Sequence, residues 1–258
     1  MKKAIVAALM VVLLTSGLLV GCGGVVKGSG NLETQTFDFT GFTRVEVGHA
    51  FEVRVVQSDS YSVTISADDN LYKYIQVSKE GGTLKIDVKP ITTFWSATLR
   101  AEITMPQLRG LALSGATRGT VSGFSSTENL DIKVSGASSL DLVEMSAGDI
   151  DFEISGASRV TGDIIASDAD FEVSGASTVQ LQGSANDIVI DVSGASRAEL
   201  AAFTVNNADV KLSGASRGTV NMDGRLDVNL SGASKLSYIG EPTMGTINIS
   251  GASTISRK

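Results

Sequence analysis

Cysteine and histidine are almost missing from this sequence, which contains one residue of each. A single cysteine, Cys22, cannot form an intramolecular disulfide or a metal site with several cysteine ligands. Any Ser–His–Asp arrangement would have to use His49, which lies between two predicted strands. We therefore interpret His49 as a loop residue. The sequence predicts no catalytic residue, no cofactor and no zinc site.

Aromatic residues and proline are also scarce, at 5% of the chain and three residues, whereas glycine occurs 28 times. Large aromatic side chains usually anchor a compact core. Their scarcity favours a thin, stacked core of Val, Ile, Leu and Ala over a thick globular one. The net charge is −7. Because binding to phosphates requires a basic surface, this charge argues against nucleic acid as a general partner.

The N-terminus has the pattern of a secretory signal. Two lysines precede an apolar run from Ala4 to Val20. The run ends in Leu19-Val20-Gly21-Cys22, which resembles the lipobox of bacterial lipoproteins. This resemblance implies a signal peptide over residues 1–21 and lipidation of Cys22. A plain transmembrane anchor is the alternative, because the run is about as long as the shortest membrane-spanning helix.

Lipidation would place the protein in the bacterial cell envelope, anchored on the extracytoplasmic side. Gly23-Gly24 follows the cysteine, and resemblance to known sorting rules then favours the outer membrane if the cell has two membranes. Several acyl chains hold a protein to a bilayer more firmly than one. Residues 22–31 are rich in glycine and predict a short flexible tether.

A motif, Ser-Gly-Ala-Ser/Thr, occurs eight times and dominates the rest of the chain. Its copies begin 18 to 21 residues apart, and a period near 20 residues is typical of a solenoid. The first serines of these SGAS motifs are Ser114, Ser135, Ser155, Ser174, Ser193, Ser213, Ser231 and Ser250.

Apolar and polar residues alternate on both sides of each SGAS motif. Positions one and three before the first serine are apolar in all eight copies, as in Phe171 and Val173. Such alternation predicts one strand before the motif and another after it. Hairpin dipeptides and helix-length spacers are largely missing. We therefore predict an all-β fold, a single-stranded parallel β-helix with coils of about 20 residues.

The SGAS motif itself predicts the corner of each coil. Glycine tolerates a positive φ and a close backbone approach, and serine hydroxyls can bond to the backbone. Alanine is small enough to point inward at the bend. We interpret the motif serines as corner residues and not as nucleophiles.

Residues 32–110 lack the SGAS motif but keep the alternation, as in 51–55 and 84–88. A stretch that begins at Asp68 interrupts this pattern and predicts a helical turn. We assign residues 32–110 to an N-terminal β segment and cap. Residues 111–258 are the SGAS-repeat β-helix, and 32–258 form one continuous domain.

Charged residues form two sets at fixed positions around the motif. A basic set lies four residues after the first serine and predicts a surface that binds an anionic polymer, although a solvated face is the simpler interpretation. The basic set consists of Arg118, Arg159, Arg197, Arg217 and Lys235. An acidic set lies four residues before the first serine, and Asp131, Asp151 and Asp170 would form an outward ladder. Because stacked like charges repel, this ladder is a weak candidate for calcium.

The early alternating strands, the Asp68-Asp69-Asn70-Leu71 stretch, residues 82–86 and the repeated Ser-Gly-Ala together resemble the auto-transporter adhesin head GIN domain family. This resemblance covers about residues 32–258. It implies a parallel β-helix and an adhesin-like role without known catalytic residues.

We therefore expect a binding or structural module of the envelope, not an enzyme, with a polysaccharide or an envelope protein as its partner. A polysaccharide-active enzyme and an envelope sensor domain are the alternatives. Phe94-Trp95 is either a contact site or part of the cap core.

Overall fold

The computed structural model describes residues 25–90 and 93–258. The predicted signal peptide and Cys22 lie outside these residues. Strands account for 62% of the chain and helix for 3%, which confirms the predicted all-β class.

The N-terminal part holds nine strands and one short helix. They are β1 Val25–Lys27, β2 Leu32–Phe37, β3 Arg44–Val47, β4 Glu52–Gln57, β5 Ser62–Asp68, the 3₁₀ helix Asp69–Tyr74, β6 Ile75–Glu80, β7 Thr83–Val88, β8 Thr93–Trp95 and β9 Leu99–Met105. The helix lies where the sequence predicts a helical turn.

Each SGAS motif joins two strands, as predicted. The strands before the motifs are β10 Gly110–Leu113, β12 Leu130–Val134, β14 Ile150–Ile154, β16 Asp168–Val173, β18 Asp187–Val192, β20 Asn207–Leu212, β22 Arg225–Leu230 and β24 Thr243–Ile249. The strands after the motifs are β11 Arg118–Ser122, β13 Ser139–Ser146, β15 Arg159–Ile165, β17 Thr178–Ser184, β19 Arg197–Val205, β21 Arg217–Met222, β23 Lys235–Ile239 and β25 Thr254–Arg257.

These strands stack into two sheets. The first sheet has the order β24-β22-β20-β18-β16-β14-β12-β10-β3-β7-β6, and the second has the order β2-β5-β9-β4-β11-β13-β15-β17-β19-β21-β23-β25. Equivalent strands of successive repeats pair in parallel, so that the chain makes a β-solenoid of about seven turns of about 20 residues. This arrangement confirms the predicted parallel β-helix.

Glycine is required at the corners because the coils touch there. Gly175 has φ +77°, and a Cβ atom on it would lie 2.3 Å from the carbonyl oxygen of Gly156 in the preceding coil. The next amide continues the ladder, since Ala176 N donates to that same oxygen at 2.7 Å. Each corner therefore hydrogen-bonds to the corner before it, and a side chain at the glycine would block the contact.

The orientation of the corner differs from the prediction in one respect. The alanine of the motif is exposed, as at Ala137, whereas the fourth residue is buried, as at Ser138. The reason is the alternation of the strand that follows: Ser138 stands two residues before the core residue Leu140 and therefore shares its face. A column of buried hydroxyls runs along the inside of the corner. Its members are Thr117, Ser138, Ser158, Ser177, Ser196, Ser216 and Ser234.

This hydroxyl column is hydrogen-bonded unevenly. Ser177 Oγ accepts from the backbone nitrogen of Ser158 at 3.3 Å, and Ser216 Oγ donates to the carbonyl oxygen of Val192 at 3.2 Å. The hydroxyl oxygens of Ser138 and Ser158 have no partner among the described residues. The column thus lies in the core of the corner, where it is closed to solvent.

The core between the sheets consists mainly of aliphatic side chains. In its middle, Phe152 and Phe171 stack with ring centroids 4.9 Å apart, and Phe203 meets Phe171 edge-on at 6.3 Å. Core side chains are less buried on β24, the last strand of the first sheet, where Ile247 is 41% exposed. The inward side chains therefore depend on a coil on each side for their burial.

The cap is made by a change of strand direction. β5 pairs antiparallel with β2 and β9, and β6 pairs antiparallel with β7. β3 lies between β7 and β10, and β4 lies between β9 and β11. All four of these pairings are parallel. After β3 and β4, the chain forms the end of the solenoid with β5 to β9. It then crosses back over β3 and β4 and begins the first SGAS coil at β10.

Residues 25–31 are not a free tether, in contrast to the prediction for residues 22–31. β1 pairs in parallel with β8, and Gly28 N donates to the carbonyl oxygen of Trp95 at 3.1 Å. Ser29 and Gly30 bond to the side chains of Asp69 and Asp68. The side chains that begin the 3₁₀ helix therefore hold this segment against the cap.

Candidate ligand-binding surface

The five predicted basic residues lie in one column on the outer face of the second sheet. Strand register aligns Arg118, Ser139, Arg159, Thr178, Arg197, Arg217, Lys235 and Thr254 across eight neighbouring strands. We call Arg118, Arg159, Arg197, Arg217 and Lys235 the basic column. All five are exposed, and they extend over about 30 Å at the usual strand spacing.

Few carboxylates neutralise the basic column. Arg197 Nε lies 3.6 Å from Glu199 Oε1. Within residues 25–90 and 93–258, the other four members form no salt bridge. Arg197, Arg217 and Lys235 stand on adjacent strands, where like charges repel. An anionic ligand would relieve this repulsion.

Two grooves border the basic column. One has a volume of about 590 Å³ and lies beside Arg197, with Thr161 and Gln180 on its wall. The other has a volume of about 750 Å³ and surrounds Arg118. Both offer hydroxyl and guanidinium donors, and the first adds the side-chain amide of Gln180. Such donors suit a polymer that carries hydroxyl and acidic groups.

Two basic residues of the second groove were not predicted from the sequence. Arg54 and Arg100 lie on the strands that precede Arg118 in the sheet, and Arg100 Nε contacts Glu52 Oε2 at 3.0 Å. Gly48-His49-Ala50-Phe51 is the structural counterpart of an SGAS motif, since β3 and β4 pair with β10 and β11. Aligning these four residues with the motif would have placed Glu52 and Arg54 on this face.

The acidic ladder also forms in register, on the outer face of the first sheet. Asp131, Asp151 and Asp170 are aligned on adjacent strands. Basic neighbours offset part of their charge: Arg44 reaches across the glycine at position 110 to contact Asp131 at 2.6 Å. Among the described residues, no group of three or more His, Cys, Asp or Glu side chains is arranged to hold a metal ion.

Partial burial is the main cause that raises the pKa of Asp170, and the charge of Asp151 adds to it. Retaining glycoside hydrolases use two carboxyl groups about 5–5.5 Å apart, a separation close to the spacing of neighbouring strands. The three aspartates of the acidic ladder line a groove of about 320 Å³. The aromatic residue of its lining is Phe152, whose side chain is buried in the core. The described groove therefore lacks an exposed ring on which a sugar could stack.

Asp227 shows the opposite effect farther along the same face. Its carboxylate accepts hydrogen bonds from Arg225 and from the backbone nitrogen of Thr246, and the contact with Arg225 is the main cause that lowers its pKa to about 2. The bond from Thr246 joins β24 to β22, the last two strands of the first sheet, whereas the contact with Arg225 lies within β22.

The histidine lies at the corner between β3 and β4. His49 has φ +56°, and its Nδ1 atom contacts the carboxylate of Asp87. Ser114 lies on the other side of Gly48, but no hydrogen bond joins it to His49 in the described chain. The arrangement is an exposed hydrogen-bonded pair at a corner.

The two neighbouring aromatic residues of the cap, Phe94 and Trp95, differ in exposure. Trp95 is 62% exposed. Phe94 packs against the cap, with its ring centroid 6.0 Å from that of Tyr74. Phe94 is therefore cap core, whereas Trp95 is available for contact.

The fold and the surface define a parallel β-solenoid with an exposed basic column. The family model described as "Putative auto-transporter adhesin, head GIN domain" matches residues 41–242. The chain belongs to this family, which confirms the resemblance found in the sequence. No curated protein matches the sequence significantly.

Solved structures show the same fold. The chain is similar to a putative adhesin from Parabacteroides distasonis ATCC 8503, with 19% identity, a TM-score of 0.84, and coverage of 91% of this chain and 100% of that one. It is also similar to a putative lipid binding protein from the same organism, with 16% identity, a TM-score of 0.76, and coverage of 91% and 100%. A putative adhesin (BF0245) from Bacteroides fragilis NCTC 9343 has 21% identity and a TM-score of 0.69, with coverage of 90% and 100%.

The family and these names support an adhesin-like module. In the part of the chain that the structure describes, no helix is long and apolar enough to cross a membrane.

Proposed function

We propose that this protein is a lipid-anchored, adhesin-like module of the bacterial cell envelope whose basic column binds an anionic polysaccharide without catalysis. The observation that carries the proposal is the stacking of Arg197, Arg217 and Lys235 on adjacent strands with little compensation by carboxylates. A repeating polymer suits a repeating surface, because each coil presents a donor at the same height.

A lipid ligand inside the solenoid is not favoured. The space between the sheets is filled by side chains such as Phe171 and Phe203, which are fully buried. Ligand contacts must therefore be made on the outer faces, where the basic column lies.

Replacing Arg159, Arg197 and Arg217 together with serine is expected to weaken binding to acidic polysaccharides about ten-fold or more, since three exposed ion pairs are lost. Binding of the purified full chain in detergent is measured on an array of acidic and neutral glycans. Added salt should weaken the wild-type interaction, because it screens exposed charges.

The control removes three positive charges from the first sheet instead, with Lys85, Lys133 and Lys211 changed to serine. This variant has the same net charge and should bind like wild type. Equal losses in both variants would reject a specific role for the basic column. A folded wild type that binds no acidic glycan would reject the polysaccharide ligand.

The lipid anchor rests on the lipobox at Leu19 to Cys22. Cells that express the chain and are fed an alkyne fatty acid should yield labelled protein, and Cys22→Ser should remove the label. The experiment is unambiguous for thiols because the sequence has one cysteine. Wild-type protein that stays unlabelled in a bacterium that labels its other lipoproteins would reject the anchor.

A further inference from the structure

The two-stranded ribbon of β1 and β8 presents an exposed apolar face. Register places Val25 beside Thr93 and Lys27 beside Trp95, and alternation directs these four side chains to one side. Val25 is 68% exposed and Trp95 is 62% exposed, and Lys27 Nζ lies 5.3 Å from the centre of the Trp95 ring. We call this side the ribbon face.

The opposite side of the ribbon is fixed to the cap. Val26 and Phe94 are partly buried against the core cluster. Asn70 donates to the carbonyl oxygen of Lys27 at 2.8 Å, and Gly30 N donates to Asp68 at 2.6 Å. Val25 and Trp95 are therefore held in exposed positions by an ordered ribbon, and together they offer an apolar surface for contact.

The ribbon face lies close to the predicted anchor along the chain. Only Gly23 and Gly24 separate Cys22 from Val25. Even fully extended, this link spans about 10 Å from Cys22 to Val25. Each headgroup layer of a bilayer is about 5–7 Å thick. The link is thus too short to lift the ribbon far from the membrane surface.

Charge around the ribbon also suits a membrane. Two further lysines lie near Tyr74, whose ring packs against Phe94 on the cap side of the ribbon: Lys73 Nζ is 5.1 Å from the centre of that ring, and Lys89 Nζ donates to the carbonyl oxygen of Lys73. The nearby carboxylate of Asp69 accepts a hydrogen bond from Ser29. Lysines beside a lipid surface attract anionic headgroups, and tryptophan favours the interface because its ring is apolar with one polar group.

We propose that the ribbon face seats the cap on the lipid surface that holds the acyl chains of Cys22. Trp95 and Val25 enter the headgroup layer, and Lys27 contacts anionic headgroups. The proposal rests on the lipid anchor proposed above. Its consequence is a defined orientation, with the cap toward the membrane and the SGAS coils with their basic column directed away from it.

Trp95 is the only tryptophan in the chain, so its fluorescence reports on the ribbon face alone. The acylated full chain is reconstituted in vesicles of phosphatidylethanolamine and phosphatidylglycerol, with and without bromine on the upper part of the acyl chains. Bromine is expected to cause a clear loss of Trp95 emission, and the emission should lie to the blue of that of an exposed indole.

The matched control moves the tryptophan to the SGAS coils, in a chain with Trp95→Phe and Ile165→Trp. Ile165 is 58% exposed on the second sheet. Its replacement should give emission that bromine leaves unchanged. Equal emission of Trp95 in brominated and plain vesicles would overturn the proposal, as would a blue shift that depends on protein concentration, which would indicate a second copy on the ribbon face.

Fatty-acid labelling of the same preparations separates this proposal from that of the anchor. Labelled protein whose Trp95 is not quenched means that the anchor exists and the ribbon face is not membrane-bound. Unlabelled protein whose Trp95 is quenched means that the ribbon face binds lipid and the anchor proposal fails.

Discussion

Replacing Gly175 with alanine is expected to lower the free energy of unfolding by about 2–5 kcal/mol. Two costs add at this corner. An L-residue is strained at φ +77°, and the new Cβ atom would lie 2.3 Å from the carbonyl oxygen of Gly156. That oxygen is fixed, since it accepts the hydrogen bond from Ala176. The coils can make room only by separating at the corner, which would weaken the ladder on both sides.

Gly123→Ala separates these two costs. Gly123 has φ +80°, but the nearest atom to its Cβ position is a side-chain carbon at 3.9 Å. This variant should lose only the conformational share, about 1–2 kcal/mol. Urea unfolding followed by circular dichroism measures both. If Gly175→Ala loses no more than Gly123→Ala, contact between corners does not explain the glycine of the motif.

The contact between stacked corners also explains why the coil of β3 and β4 lacks the SGAS motif. At the corner between β3 and β4, His49 takes the place of the glycine and keeps its positive φ. A side chain fits there because the chain after β7 leaves the solenoid, and His49 instead contacts Asp87. A motif glycine is required where the corner of the preceding coil packs against it. No such corner precedes His49 in the described chain. Alignment by the motif therefore misses the first coil and its Arg54.

Strand pairing in the SGAS coils could be predicted because inward and outward residues alternate at a fixed distance from the motif. That distance places the basic column and the acidic ladder correctly. The orientation of the fourth motif residue could have been found in the same way, by counting back from Leu140 to Ser138. The antiparallel cap could not, since its pairings join segments such as β2 and β5 that share no motif.

The stacking of the coils leads to the second large effect, the loss of an aromatic side chain from the middle of the core. Phe171→Ala is expected to lower the free energy of unfolding by about 3–5 kcal/mol. Phe171 is fully buried and contacts Phe152 and Phe203, so the cavity is enclosed by one ring from the neighbouring strand and one from the opposite sheet. Each coil of a solenoid is stabilised by its neighbours, and the cavity therefore weakens two interfaces.

Ile247→Ala provides the comparison at the equivalent position of the last coil. Ile247 is 41% exposed, and removing it leaves no enclosed cavity. Its loss should cost about 1 kcal/mol. Hydrogen exchange should show faster opening of β16 in Phe171→Ala but faster opening of β24 alone in Ile247→Ala. Similar losses of stability in the two variants would mean that burial by neighbouring coils does not decide the stability of each turn.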